Sequence, residues 1–319
     1  MSRFVLGRLI QACGVLFVVS VITFVLIHAA PGGPAILLQP DLTREQMREL
    51  RAEMGLEDPI PVQYARWLGN VFHGQLGRSL SQGLPVTTLI ADRLPATLIL
   101  SGAALLLTLV LGIPLGVLSA VKRNGLLDYL VTGLAFLGMS VPVFWFGIIL
   151  IIIFSVELGL LPSAGMYTLG EPFSVADRLR YLIMPTAVLA IANLAQITRY
   201  TSSSMLGTLT EDYVRTARAK GLAERAVLLR HALRAALVPI VTVVGLLLPR
   251  LVAGAAITEA IFAWPGMGRL AVDAAVQRDY PLIMGITLMI SAIVVLSNLV
   301  VDVIYGWIDP RIRVLSAES

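Results

Sequence analysis

Six stretches of the chain, at about 9–29, 97–120, 129–156, 182–206, 237–260 and 282–305, are dominated by apolar side chains. A helix rises about 1.5 Å per residue, so runs of roughly 20 residues match a hydrocarbon core about 30 Å thick. The expected class is an all-α polytopic membrane protein with six transmembrane helices. A mean hydropathy of +0.85 and a charged fraction of 14% exclude an ordinary soluble domain. Arg3 and Arg8 precede the first run, which is too long for the apolar core of a secretory signal, although His28-Ala-Ala30 faintly resembles a cleavage site. Pro114, Pro142, Pro185 and Pro249, with many glycines, predict kinked and closely packed helices.

Between the first two runs, residues 31–95 are polar and carry two short helical patterns. Thr43 with Gln46 makes a capping box ahead of Met47, Leu50 and Met54, ending at Gly55. Pro61 can open the second pattern, with Tyr64, Trp67, Leu68 and Val71 on one side and Gly74 after it. The result is a small folded cap, either functional or a packing insert. Basic residues set the orientation: the N-terminus, Lys122-Arg123, residues 207–239 and Arg311 to Arg313 fall on one side. With Arg199 and Asp302, near the ends of their runs, counted on it, that side carries 13 basic and 7 acidic residues against 10 and 13 opposite, with Arg250 inside a span. Both termini are therefore expected in the cytoplasm, with the cap outside.

Several functions are excluded by what is missing. The only lysines, Lys122 and Lys220, do not follow glycine, so no phosphate-cradling P-loop is present. Gly-x-Ser-x-Gly and His-Glu-x-x-His are absent, which leaves no recognisable catalytic nucleophile or zinc site. Cys13 is alone, and His28, His73 and His231 are scattered, so neither a disulfide nor a metal cluster is expected. The arginines flank apolar runs instead of lining a polar fold with stacking aromatics, which argues against nucleic acid.

The longest basic segment, 207–239, separates the fourth and fifth runs. Thr210 or Asp212 can cap a helix bearing Val214, Ala217 and Gly221 at helical spacing, with Arg215 and Arg218 beside them and Gly221 as the stop. A second pattern places Leu222, Ala226, Leu229 and Leu233 on one side, with Arg225, Arg230 and Arg234 around them. This hub can hold anionic headgroups, at roughly 1 kcal/mol per charge. Alternatively, Ala-x-x-x-Gly leaves a bare patch where another protein's backbone approaches.

Glu211-Asp-Tyr-Val-Arg-Thr-Ala-Arg-Ala-Lys-Gly221 resembles the cytoplasmic EAA loop of ABC importer permeases, most closely in their dipeptide/oligopeptide branch. Ala263-Trp-Pro-Gly-Met-Gly268, Arg278-Asp-Tyr-Pro281 and Asp309-Pro-Arg-Ile-Arg313 extend that resemblance in the same order. Arg215 and Thr216 stand where the EAA pattern has Glu and its first Ala, and His231-Ala-Leu-Arg234 replaces its Ile-x-Leu-Pro element. The resemblance implies a type I ABC importer permease in a bacterial inner membrane, with a second homologous permease, two cytoplasmic ATPase subunits and an extracytoplasmic binding protein. It also implies peptides as cargo, glutathione or nickel chelates being alternatives. ATP and Mg would belong to the partner ATPases, and this chain would hold no cofactor. Docking would fall to Arg215, Thr216, Ala217, Lys220, Gly221, Leu222 and Arg225. The implied division is an N-terminal helix at 1–30, the insert at 31–95, a core permease domain at 96–306 and a cytoplasmic tail at 307–319.

Polar groups inside spans are costly unless they meet a cavity or partner. Arg250, after Pro249 midway along the fifth run, can meet a peptide carboxylate or form a structural ion pair, for example with Glu259. Asn193, Gln196 and Asn298 can line a path or make interhelical hydrogen bonds, and Glu259 can fix the Trp264-Pro265-Gly266 turn. A secondary transporter is the competing class, but no convincing inverted repeat of broken helices is seen.

Overall fold

The computed structural model describes residues 2–30, 33–34, 43, 45–46, 48, 52 and 55–308. Among them the elements are helical: α1 (Ser2–Ala29), α2 (Ile60–Phe72), α3 (Val86–Val121), α4 (Leu126–Ser140), α5 (Val143–Leu150) and α6 (Val175–Leu209). The remainder are α7 (Asp212–Ala219), α8 (Glu224–Ala226), α9 (Leu233–Ile261), α10 (Met267–Val276) and α11 (Tyr280–Ile308). Two π-helical segments prolong α5 over Ile151–Glu157 and join α8 to α9 over Val227–Ala232.

Four helical stretches, Leu6–Ala29, Val86–Val121, Glu224–Leu247 and Tyr280–Val301, are each long and apolar enough to cross a bilayer. Two bent pairs bring the number to six if each crosses once. The span expected at 129–156, with a kink at Pro142, consists of Leu126–Ser140 and Val143–Glu157, meeting at 102°. Pro142 disfavours the helical conformation at the residue before it, and Val141 is extended at φ −81°, ψ 125°. A milder bend of 51° divides Val175–Ile191 from Asn193–Leu209. The span expected from residue 97 begins at Val86, and its 36 residues reach about 54 Å, well beyond one hydrocarbon core.

Contacts divide the chain into two units, Met1–Thr97 with Pro265–Leu296, and Leu98–Trp264 with Ser297–Ser319. In the first unit, Leu76, Val86, Ile90, Met267, Leu282 and Ile286 form a buried core. Gly285 lets the first turn of α3 approach α11 so closely that a Cβ there would collide with Val86. α2 forms as the apolar spacing predicts, with Gly74 at φ +74° beyond its end. Its Tyr64 hydroxyl bonds the Ser20 hydroxyl of α1 at 2.8 Å, and the Tyr64 ring meets Phe24 edge-on at 5.3 Å. The capping box forms too: Thr43 Oγ1 accepts from Gln46 N at 3.2 Å, and Gln46 Oε1 accepts from Thr43 N at 3.0 Å. Met47, Leu50 and Met54 lie outside the described residues.

In the second unit, α6 packs against α4 and α9. Ile197, Ile240, Val243 and Leu247 make one core, and Met184, Val188 and Phe262 another. Gly116 permits the tightest crossing of α3 on α6, where an added Cβ would lie 2.5 Å from Thr201 Cβ and 2.6 Å from the Thr198 carbonyl oxygen.

Candidate functional site

The hub begins where α6 ends at Thr210, whose hydroxyl donates back to Gly207 O at 2.7 Å. Neither capping candidate caps α7: Glu211 occupies that position without a side-chain bond, and Asp212 is the first helical residue, paired with Arg215 at 2.8 Å. Gly221 stops the helix as expected. At φ +77° it lets Gly221 N reach Arg218 O at 2.9 Å and Leu222 N reach Ala217 O at 3.4 Å, the paired bonds of a Schellman ending. Arg218 closes the turn by donating to both carboxylate oxygens of Glu224, at 3.2 and 2.8 Å.

Packing corrects two expectations about this hub. Ala217 is not bare: with Val214 it is buried in a cluster with Ala120, Met205, Val227, Ala232 and Ala236. The second apolar side is not the one at 222, 226, 229 and 233, since Leu222 and Leu229 are 43% and 49% exposed. The π-helical turn bonds i to i+5 and takes more residues per turn, so burial steps from Val227 to Ala232 before resuming α-helical spacing at Ala236. Outward remain Arg215, Thr216, Lys220, Gly221, Leu222 and Arg225, joined by Tyr213, which sequence reasoning missed. Tyr213, Thr216 and Lys220 share one helix face by their spacing. Nothing lies within 4 Å of a Cβ built on Gly221, so the tip of the hairpin is open.

The path candidates fare differently. Arg250 lies in α9, its side chain outside the described residues. Half-buried Asn193 donates to Leu189 O of its own helix at 2.9 Å, just past the bend of α6. Gln196 is half-buried and Asn298 exposed, and no hydrogen bond joins these three to one another. Glu259 is buried, and its backbone carbonyl accepts from Trp264 N at 2.8 Å while Ala263 takes φ +45°.

A missed charge is Arg199 on α6. It lines a cavity of about 210 Å³ with Asp128, Thr132, Ser202 and Ser203. There Asp128 accepts from Ser119 Oγ at 2.5 Å and from Asn124 N at 3.0 Å. Its place inside an apolar run was the signal that could have found it. Asp279, within the Arg278-Asp-Tyr-Pro281 motif, is fully buried. Its Oδ1 caps α11 by accepting from Leu282 N at 3.2 Å, while Oδ2 accepts from Ser79 Oγ, Ser81 N and Ser81 Oγ at 2.6, 3.0 and 2.8 Å. One carboxylate thus starts a helix and latches the 77–85 loop. The Asp309 to Arg313 motif lies outside the described residues.

Residues 112–314 match the model of the family described as binding-protein-dependent transport system inner membrane component, and residues 1–101 match its N-terminal counterpart. The chain is 44% identical over 315 residues to the oligopeptide transport system permease protein AppB of Bacillus subtilis, covering 98% of this chain and 100% of AppB. It is 40% identical over 336 residues to the dipeptide transport system permease protein DppB of Escherichia coli K12, covering 98% and 99%. A chain of the MetNI methionine ABC transporter, solved in inward-facing conformations, aligns with a TM-score of 0.55 at 20% identity over 70% of this chain and 97% of that one. That likeness concerns the fold alone.

Proposed function

The chain belongs to the family of binding-protein-dependent transport system inner membrane components, and from that membership we propose that it is the permease subunit of an ATP-driven ABC importer of peptides. The observation carrying this reading is the full-length match to permeases named for oligopeptide and dipeptide transport. ATP is hydrolysed by separate subunits, since this sequence has no P-loop. A second permease completes the pathway, and a binding protein delivers the peptide from outside.

The hub is the coupling element. Its hairpin is rigid within, through the cluster around Val214 and the Arg218–Glu224 pair, and open at Gly221, Leu222 and Lys220. Force applied at that tip passes along α8, the π-helical turn and α9 as one continuous helical rod. Basic-residue bias supports a cytoplasmic hub, cytoplasmic termini and an extracytoplasmic insert. Arg199 and Arg250 are the charges available to a zwitterionic cargo, because an arginine in a span needs water, a carboxylate or a partner.

Affinity purification of the native complex through a tag on this chain tests the proposal. Two ATPase subunits and a second permease are expected in the particle. A single-chain particle that moves solute without an ATPase would contradict it.

A further inference from the structure

Two cavities in the first unit share Trp67 and Leu76 as lining residues. One, of about 380 Å³, is apolar and lies beside α1 at Cys13, Leu16 and Phe17 and beside α11 at Leu288 and Ala292. The other, of about 510 Å³, lies at the last turn of α1 and the first of α11, where His28, Gln63, Arg66, Asn70, Arg78 and Tyr280 line it. From Cys13 to His28 is about 22 Å along a helix, and from Tyr280 to Ala292 about 18 Å. End to end the two spaces are thus about as long as one bilayer leaflet is thick, with apolar side chains at one end and hydrogen-bonding side chains at the other.

Its polar end suits an anion. Arg66 is held by Asp58 at 2.6 Å, whereas Arg78 donates to Gly83 O at 2.6 Å and meets no carboxylate within ion-pair distance among the described residues. Gln63 Nε2 is engaged by the carbonyls of Leu56 and Asp58, at 3.3 and 2.7 Å, which fixes the wall beside Arg78's chamber. Trp67 lines both spaces and Phe24 and Tyr280 the polar one, aromatic rings of the kind found where a helix leaves the hydrocarbon. A soluble peptide or free phosphate would leave the apolar groove unfilled.

We infer that the two cavities act as one site for an anionic phospholipid, its phosphate at Arg78 and one acyl chain in the groove between α1, α2 and α11. The inference requires that α1 and α11 cross a bilayer, and it does not depend on the cargo. The lipid ties the 77–85 loop and α2 to the membrane surface.

The test uses the purified transporter complex in nanodiscs doped with phosphatidylglycerol or phosphatidylcholine carrying a diazirine in the acyl chain. After photolysis, labelled peptides are mapped by mass spectrometry. Phosphatidylglycerol should label residues 13–20 and 288–292 roughly fivefold more than phosphatidylcholine, as one basic contact to an anionic lipid implies. Arg78→Gln should abolish that preference, Arg78→Lys should restore most of it, and Ala292→Trp should reduce labelling by both lipids. Equal labelling of the wild type by the two lipids overturns the site without recourse to any variant. So does loss of preference in Arg78→Lys as complete as in Arg78→Gln, which would make the Gly83 bond the residue's role. Displacement of the label by saturating dipeptide would assign the cavity to cargo instead.

Discussion

Gly221 combines two constraints: a left-handed backbone at φ +77° and open space around its missing side chain. A left-handed conformation costs most L-residues roughly 1–2 kcal/mol, and Asn bears it best. Gly221→Asn should therefore keep near-normal transport, whereas Gly221→Trp should leave assembled spans but uncouple ATP hydrolysis from uptake. Normal uptake by the Trp variant in vesicles would remove Gly221 from the contact. Arg250 separates two roles by another route, because guanidinium can hold a carboxylate through two parallel bonds while ammonium cannot. If it holds the peptide C-terminus, Arg250→Lys should weaken uptake, Arg250→Met should nearly abolish it, and C-terminally amidated peptides should be poor substrates of the wild type. Lower expression of Arg250→Met, with equal uptake of free-acid and amidated peptides by the wild type, would mark a structural ion pair. Gly221 was legible because glycine is the usual residue at a left-handed helix stop. Ala263 and Arg278 take the same conformation, at φ +45° and +49°, with nothing in their identity to announce it. The role of Asp279 is not legible in its motif, since its donors Ser79 and Ser81 stand some 200 positions away.

At the level of elements, apolar length located four to six membrane stretches but not their shape or exact limits. The span breaks by 102° at Pro142, where Val141 takes the extended conformation that a following proline favours, whereas Pro185 sits inside a helix that continues past it. The hub's hairpin was readable from capping and glycine signals, yet its buried side was not, since a π-helical turn shifts the register that an α-helical period assumes. Two interventions probe packing between elements. Gly116→Ala pushes a Cβ against the Thr198 carbonyl, which a side-chain rotation cannot relieve, so destabilisation of about 1–3 kcal/mol is expected. Thermal denaturation of the detergent-solubilised complex would show it as a lowered Tm, and an unchanged Tm would mean that α3 and α6 are farther apart. Asp279→Asn puts an amide where one oxygen collects three donors, so the 77–85 loop should lose its latch. Hydrogen exchange at Ser81 N and Leu282 N should accelerate, while exchange in α7 stays unchanged.

For the whole molecule, the central claim is mechanical coupling: a partner's ATP hydrolysis moves the hub, and α6 and α9, continuous with it, carry that movement to a path for peptides. Under that proposal the buried Val214 and Ala217 would hold the hub together, and the exposed Thr216, Lys220 and Leu222 would meet the ATPase. The most direct measurement is accumulation of a labelled dipeptide in proteoliposomes containing the complete complex, its binding protein and ATP on the ATPase side, scored together with phosphate release. Uptake above the external concentration that stops without ATP, and that Gly221→Trp abolishes while phosphate release continues, is the predicted result. Uptake that persists without ATP, or that follows an imposed ion gradient, would contradict it.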